Sequence, residues 1–159
     1  MKLSDFVMDF VEKQGVKDIF MLPGGGCIHL VDSLGKSELN FVCNLHEQAS
    51  SIAADAYAQF TNNLGVCLVT TGPGGTNALT GLAGAWLEST PVLFISGQVQ
   101  KKDMKGSRAV RQIGFQELDM VSIVKPITKY AVSVLDPKEI RFHLEKAVHL
   151  ATTGRPGPV

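Results

Sequence analysis

The sequence is poor in the features that mark several large protein classes. It holds three cysteines, Cys27, Cys43 and Cys67, among 159 residues. Their odd number and the lack of any C-x-x-C spacing argue against a disulfide framework and fit a reduced, cytoplasmic compartment. No apolar stretch is long enough to span a bilayer. The amino terminus, MKLSDFVMDFVEKQG, alternates acids with apolar residues and lacks the unbroken apolar core of a signal peptide. Net charge is missing too: 15 Lys and Arg cancel 15 Asp and Glu, so nothing in the balance asks for nucleic acid or an anionic membrane. There is no internal repeat and no low-complexity segment.

With 45% hydrophobic and 19% charged residues, the chain is long enough for one well-buried core and too short for two. Its charge is unevenly spread: residues 1–97 carry 4 basic and 9 acidic groups, residues 98–159 carry 11 and 6. No Lys or Arg occurs between Ser37 and Gln100, which reads as a mostly buried run of strands and close-packed helices.

Leu3, Phe6, Val7, Phe10 and Val11 recur at helical spacing behind Ser4, a good N-cap, and Gly15 supplies the stop. A short strand over Lys17–Leu22 runs into Pro23-Gly24-Gly25-Gly26, then a short helix over Ile28–Leu34 and a buried strand over Leu39–Leu45. Glu47–Phe60 reads as helix with Ala49, Ile52, Ala53, Ala56 and Phe60 on one face, surrounded by small residues that permit close approach. Gly65–Thr71 is a strand, Gly75–Leu87 a helix and Pro91–Ser96 a strand. This strict alternation predicts an α/β fold, a doubly wound, mainly parallel sheet with helices on both faces. Gln98–Gly114 is a basic surface loop, Lys129–Leu135 a strand, and Pro137–Ala151 a helix opened by Asp136 and Pro137. Gly154–Val159 reads as the start of a further strand.

Open α/β sheets bind ligands beyond the carboxyl ends of their strands, and four such junctions stand out. Pro23-Gly24-Gly25 leaves backbone N–H groups accessible to a ligand, or forms only a tight turn. His46-Glu47 puts a carboxylate where an apolar strand meets an Ala-rich helix; by itself Glu47 reads as a helix-dipole residue, and His46 as structural. Thr71-Gly72-Pro73-Gly74 with Thr76 and Asn77 invites a phosphate reading, but no G-K-[S/T] ending is present and Pro73 removes a donor; a flat ligand against the Gly-Pro-Gly edge fits as well. Finally, Gly97-Gln98 is followed downstream by Phe115 and Gln116, an apolar ring beside an amide, or an ordinary loop anchor.

Taken in order, these strings resemble the N-terminal, pyrimidine-binding domain of the acetolactate synthase branch of thiamine-diphosphate enzymes. The matching segments are Pro23-Gly24-Gly25, His46-Glu47-Gln48-Ala49 with Ala53-Ala54-Asp55-Ala56-Tyr57-Ala58, and Thr71-Gly72-Pro73-Gly74 with Thr76-Asn77. Gly81-Leu82-Ala83, Gly97-Gln98-Val99, Phe115-Gln116-Glu117 with Asp119, and Thr152 to Val159 continue the match. The resemblance implies that residues 1–159 bind the cofactor's aminopyrimidine, with Glu47 hydrogen-bonding N1′ to promote the imino tautomer that activates thiazolium C2 against a small 2-oxo acid such as pyruvate. It implies catalytic roles for Glu47 and Gln116, and cofactor contacts from Pro23, Gly24, Gly25, Gly72, Pro73, Gly74, Asn77 and Phe115. Arg155 matches a position that contacts FAD in some relatives, or is a charged residue in a linker turn.

The same resemblance implies a homodimer or homotetramer formed through the Glu47–Phe60 helix, in branched-chain amino acid biosynthesis. The chain contains no Gly-Asp-Gly with a downstream Asn, the motif with which this family holds Mg2+ and the diphosphate. The expectation is therefore an excised domain, inactive alone, whose central and diphosphate-binding domains lie elsewhere in the polypeptide or in a separate subunit. The Gln100–Gly114 loop is longer and more basic than the usual synthase pattern. That keeps another 2-oxo-acid decarboxylase, or a sulfoacetaldehyde-type acyltransferase, as an alternative, alongside a non-catalytic assembly module of the same fold.

Overall fold

The computed structural model describes residues 1–159. Strands β1 (Asp18–Met21), β2 (Asn40–Cys43), β3 (Gly65–Val69) and β4 (Val92–Ser96) form one parallel sheet in the order β2-β1-β3-β4. Parallel neighbours need crossovers, and helices supply them. Helix α2 (Ile28–Leu34) links β1 to β2, α3 (Glu47–Thr61) links β2 to β3, and α4 (Pro73–Asn77) with α5 (Leu79–Glu88) links β3 to β4. Before the sheet comes α1 (Leu3–Lys13); after it come α6 (Met120–Val124) and α7 (Ile140–Thr152).

The pleat sorts side chains between two cores. Ile19, Met21, Val66, Leu68 and Leu93 meet Val7, Met8 and Val11 of α1 and Leu144, Ala147 and Ala151 of α7. Phe20, Cys67, Val69, Val92 and Phe94 meet Ala54 and Ala58 of α3 and Ala85 of α5 on the opposite face. The sheet is thus covered by helices on both sides, as the alternation in the sequence predicts. Between α3 and α5 the approach is close enough that a Cβ on Gly81 would come within 2.6 Å of the Ser51 backbone.

Several details differ from the sequence reading. Ser4 does not cap α1: Lys2 occupies the cap position, and Ser4 is buried, its Oγ 2.8 Å from Ser33 Oγ. The expected buried strand over 39–45 is an edge strand with all four residues of β2 exposed, Cys43 included. Likewise, little more than a third of the residues in the Lys- and Arg-free run are buried. Helix α3 turns Glu47, Ser50, Ser51, Ala54 and Ala58 inward, while Ile52 is 46% and Phe60 93% exposed. The apolar face of α3 therefore faces out of the chain. An apolar stripe says that a surface is to be covered, not which chain covers it.

The helix expected over 75–87 is broken at Ala78 into α4 and α5. Lys129–Leu135 is not a strand. Only its first residue makes a backbone-to-backbone hydrogen bond, Lys129 N donating to Pro158 O at 2.9 Å, where Val159 lies alongside β4: Val159 donates to Val92 O and accepts from Phe94 N, both at 2.9 Å. The rest of that segment lines an apolar cavity of about 750 Å³ together with β4 and α7, and its Tyr130 hydroxyl lies 2.6 Å from His143 Nδ1 of α7. The helix expected from Pro137 opens instead as a 3-10 turn over Pro137–Glu139, with Asp136 Oδ1 accepting from Lys138 N at 2.9 Å, and α7 follows from Ile140. The five-residue α6 is too short to show a period; its signal is Asp119, whose Oδ1 accepts from Ser122 N at 3.1 Å. No helix is long and apolar enough to cross a membrane.

Candidate functional site

Neighbouring strands β1 and β3 send the chain in opposite directions across the sheet, toward β2 and toward β4. Loops after such a pair splay apart and leave a crevice beyond the carboxyl ends of the strands. Pro23–Gly26 follows β1 and Thr70–Gly72 follows β3, while β2 and β4 contribute His46-Glu47 and Gly97-Gln98.

Glu47 is the first residue of α3 and is only 7% exposed. His46 precedes it as the cap, its Nδ1 accepting from Gln48 N at 3.1 Å, the structural role expected from sequence. Asn77, at the end of α4, donates from Nδ2 to Glu47 Oε2 at 2.9 Å. Glu47 forms no ion pair, and its Oε1 accepts no hydrogen bond from the chain. Helix α3 presents its positive end to this carboxylate, and since no buried side-chain oxygen lacks a partner, the unbonded Oε1 opens into the crevice. The Glu47 charge is felt by Cys67 on β3: burial first, and that carboxylate second, push the thiol up to about 12.

Thr70 organises the floor of the crevice. Its Oγ1 accepts from Gly26 N at 3.0 Å, and a Cβ on Gly24 or on Gly74 would come within 2.6 Å of its side chain. A Cβ on Gly74 would also lie 3.4 Å from Glu47 Oε1, so glycine there keeps a side chain away from the spare oxygen. Gly72 has φ +59° and ψ −118°, a combination open to glycine, and its missing side chain makes room for the Gln116 backbone carbonyl.

Gln98 ties the pieces together. Its Oε1 accepts from Thr71 Oγ1 at 3.0 Å, and its Nε2 donates to Leu118 O at 2.9 Å. That draws Phe115-Gln116 against the Gly72 turn, with Phe115 82% exposed. The structure thus gathers Pro23, Gly24, Gly25, Glu47, Gly72, Pro73, Gly74, Asn77, Phe115 and Gln116 at one end of the sheet. It does not bring Arg155 there. That side chain donates to Ser89 Oγ at 2.6 Å and to Leu87 O at 3.4 Å, at the carboxyl end of α5 and hence at the opposite end of the sheet. Thr70, Gln98 and Glu117 lie in or beside the matching strings but have no role assigned from sequence, because their bonds reach across 12 to 44 residues. The chain gathers no group of three or more His, Cys, Asp or Glu side chains that could hold a metal ion.

Residues 1–123 match the family model described as thiamine pyrophosphate enzyme, N-terminal TPP binding domain. The chain is 42% identical over 159 residues to a probable acetolactate synthase large subunit of Methanocaldococcus jannaschii, covering 100% of this chain and 26% of that protein. It is 41% identical over 157 residues to an acetolactate synthase of Arthrospira platensis, covering 96% and 26%. With the chloroplastic acetolactate synthase of Arabidopsis thaliana the identity is 40% over 159 residues, covering 99% and 23%. The chain spans about a quarter of the length of these relatives.

Proposed function

We propose, from the premise that this chain belongs to the family of thiamine pyrophosphate enzyme N-terminal TPP binding domains, that it is the pyrimidine-binding, cofactor-activating part of an acetolactate synthase-like enzyme acting on pyruvate. The observation that carries this reading is the buried Glu47 carboxylate, oriented through one oxygen by Asn77 and with the other unengaged. The crevice fits the cofactor's aminopyrimidine: a spare acceptor for a protonated ring nitrogen, beside Gly24 and Gly74 turns whose lack of side chains lets them pack directly against Thr70.

When bound, thiamine diphosphate supplies a carbon nucleophile and an electron sink for decarboxylation of a 2-oxo acid. Glu47 holds or shares a proton at the pyrimidine ring nitrogen through Oε1. Asn77 fixes the plane of that carboxylate, so the shared proton keeps one direction. Oε1 opens into the crevice, so the ring nitrogen replaces solvent at that oxygen. The Gly72-Pro73-Gly74 edge supports the ring, the Pro23-Gly24-Gly25 turn borders the reacting carbon, and Phe115 and Gln116 close the rim on the substrate side.

The diphosphate and Mg2+ belong to a further domain, in the same polypeptide or in a separate subunit, so residues 1–159 alone are inactive. The exposed face of α3, with Ile52 and Phe60, supports a homodimer or homotetramer formed through the Glu47–Phe60 helix. FAD, if held through Arg155, must share a guanidinium already bonded to Ser89 and Leu87. The assembly is assigned to the cytoplasm and to branched-chain amino acid biosynthesis.

Glu47→Gln in the full-length protein tests the reading. The expected result is loss of cofactor-dependent pyruvate decarboxylation, followed by CO2 release, with an unchanged circular dichroism spectrum. Wild-type turnover in this variant refutes the role.

A further inference from the structure

The segment from Lys105 to Gly114 has no helix or strand, yet its two ends are pinned to one side chain. Glu117 Oε1 accepts from Lys105 N at 2.6 Å, and Oε2 accepts from Ile113 N at 2.9 Å. The Glu117 amide in turn donates to Gly114 O at 3.2 Å. Each amide bond to a carboxylate is charge-assisted and stronger than a neutral one. They hold the Glu117 carboxyl below its ordinary range, with the Ile113 bond the largest cause and the Lys105 bond next.

What this clamp adjoins gives it meaning. Gln116, the preceding residue, has φ +58°, a left-handed conformation that costs a non-glycine residue energy and persists only where the surroundings enforce it. Its backbone carbonyl rests on Gly72, itself at φ +59°. Two left-handed residues therefore touch at the rim of the Glu47 crevice. Gln98 holds the far side of this contact through Leu118, and Glu117 holds the near side. Phe115 is left largely in solvent while the backbone on both sides of it is fixed.

We propose that Glu117 is a positioning residue: by gathering the Lys105 and Ile113 amides it holds Gln116 in its left-handed conformation against Gly72, and so sets where the Phe115-Gln116 rim stands over the reacting end of the site. This deepens the proposed function and rests on its placement of Gln116 in the active site. Glu117 itself touches neither cofactor nor substrate; it acts through its neighbour.

The experiment uses the full-length enzyme. In the wild type, hydrogen exchange at the Lys105 and Ile113 amides is slow, while Gly106, Ser107 and Gln112 between them exchange at loop rates; uniform fast exchange across 105–113 overturns the proposal without any substitution. Glu117→Gln keeps the side chain's size and removes its charge. It is expected to speed exchange at those two amides about 10-fold and to lower kcat by about 10- to 100-fold, with thiamine diphosphate affinity and melting midpoint unchanged. Gln116→Ala is expected to lower kcat similarly, and the double variant to be no worse than either single one. Additive losses overturn this inference alone. A Gln116→Ala variant with undiminished turnover overturns both it and the reading on which it rests.

Discussion

The two faces of the sheet are packed by different rules. On one, Val7, Met8, Val11, Ile19, Leu68 and Leu144 form an aliphatic core in which α1 and α7 are held by bulk. On the other, Ala54, Ala58, Cys67 and Ala85 let α3 and α5 come close to the strands and to each other. The first arrangement stabilises by area removed from water. The second contributes less area and fixes helix position more tightly, because small side chains leave little room for a helix to slide. It is the second face that carries Glu47, at the head of α3. The domain thus separates what holds it together from what must be placed accurately.

The contrast can be broken from either side. Leu68→Ala on the aliphatic face is expected to cost about 2–5 kcal/mol, through lost transfer energy and the cavity left behind, read as a lowered urea midpoint at constant slope. On the tight face the damaging change runs the other way. Ala54→Leu is expected to cost about 1–3 kcal/mol by overpacking and to lower turnover beyond that cost, because it displaces α3; equal turnover in a folded variant contradicts the placement argument.

The smallest effect is alkaline. The Cys67 thiol is held up to about 12 against an ordinary value of 9.0, so above about pH 9 the unfolded chain gives up this proton before the folded one does. Stability then falls as pH rises, by on the order of 1 kcal/mol near pH 9.5. Comparing the pH dependence of the urea midpoint in wild type and Cys67→Ala isolates this slope; parallel curves exclude it.

Much of this was legible in the chain, and the misses have physical causes. Up to Gly97, alternating strand and helix patterns place every crossover, because each strand is short and each turn carries glycine or an acid. The same pattern misplaces Phe41 and Val42, since apolar character records the need for burial and not its source. Lys129–Leu135 has strand-like residues, but a strand exists only with a partner, and the segment lacks one past Lys129. In the site, Gly72 and Asn77 are readable because they belong to a contiguous string. Thr70, Gln98 and Glu117 act through hydrogen bonds closed in space, which spacing does not encode. Arg155 shows the converse: its string fits the resemblance, while its side chain is spent on the end of α5.

Because the chain departs from β1 and β3 toward opposite edges, the mouth between Gly24 and Gly74 is a property of the winding and not of any one side chain. Drift among surface residues, or exchange of the whole Gln100–Gly114 excursion for one of another length, leaves that mouth where it is. Descendants built on this winding can change what they recognise while keeping where recognition happens.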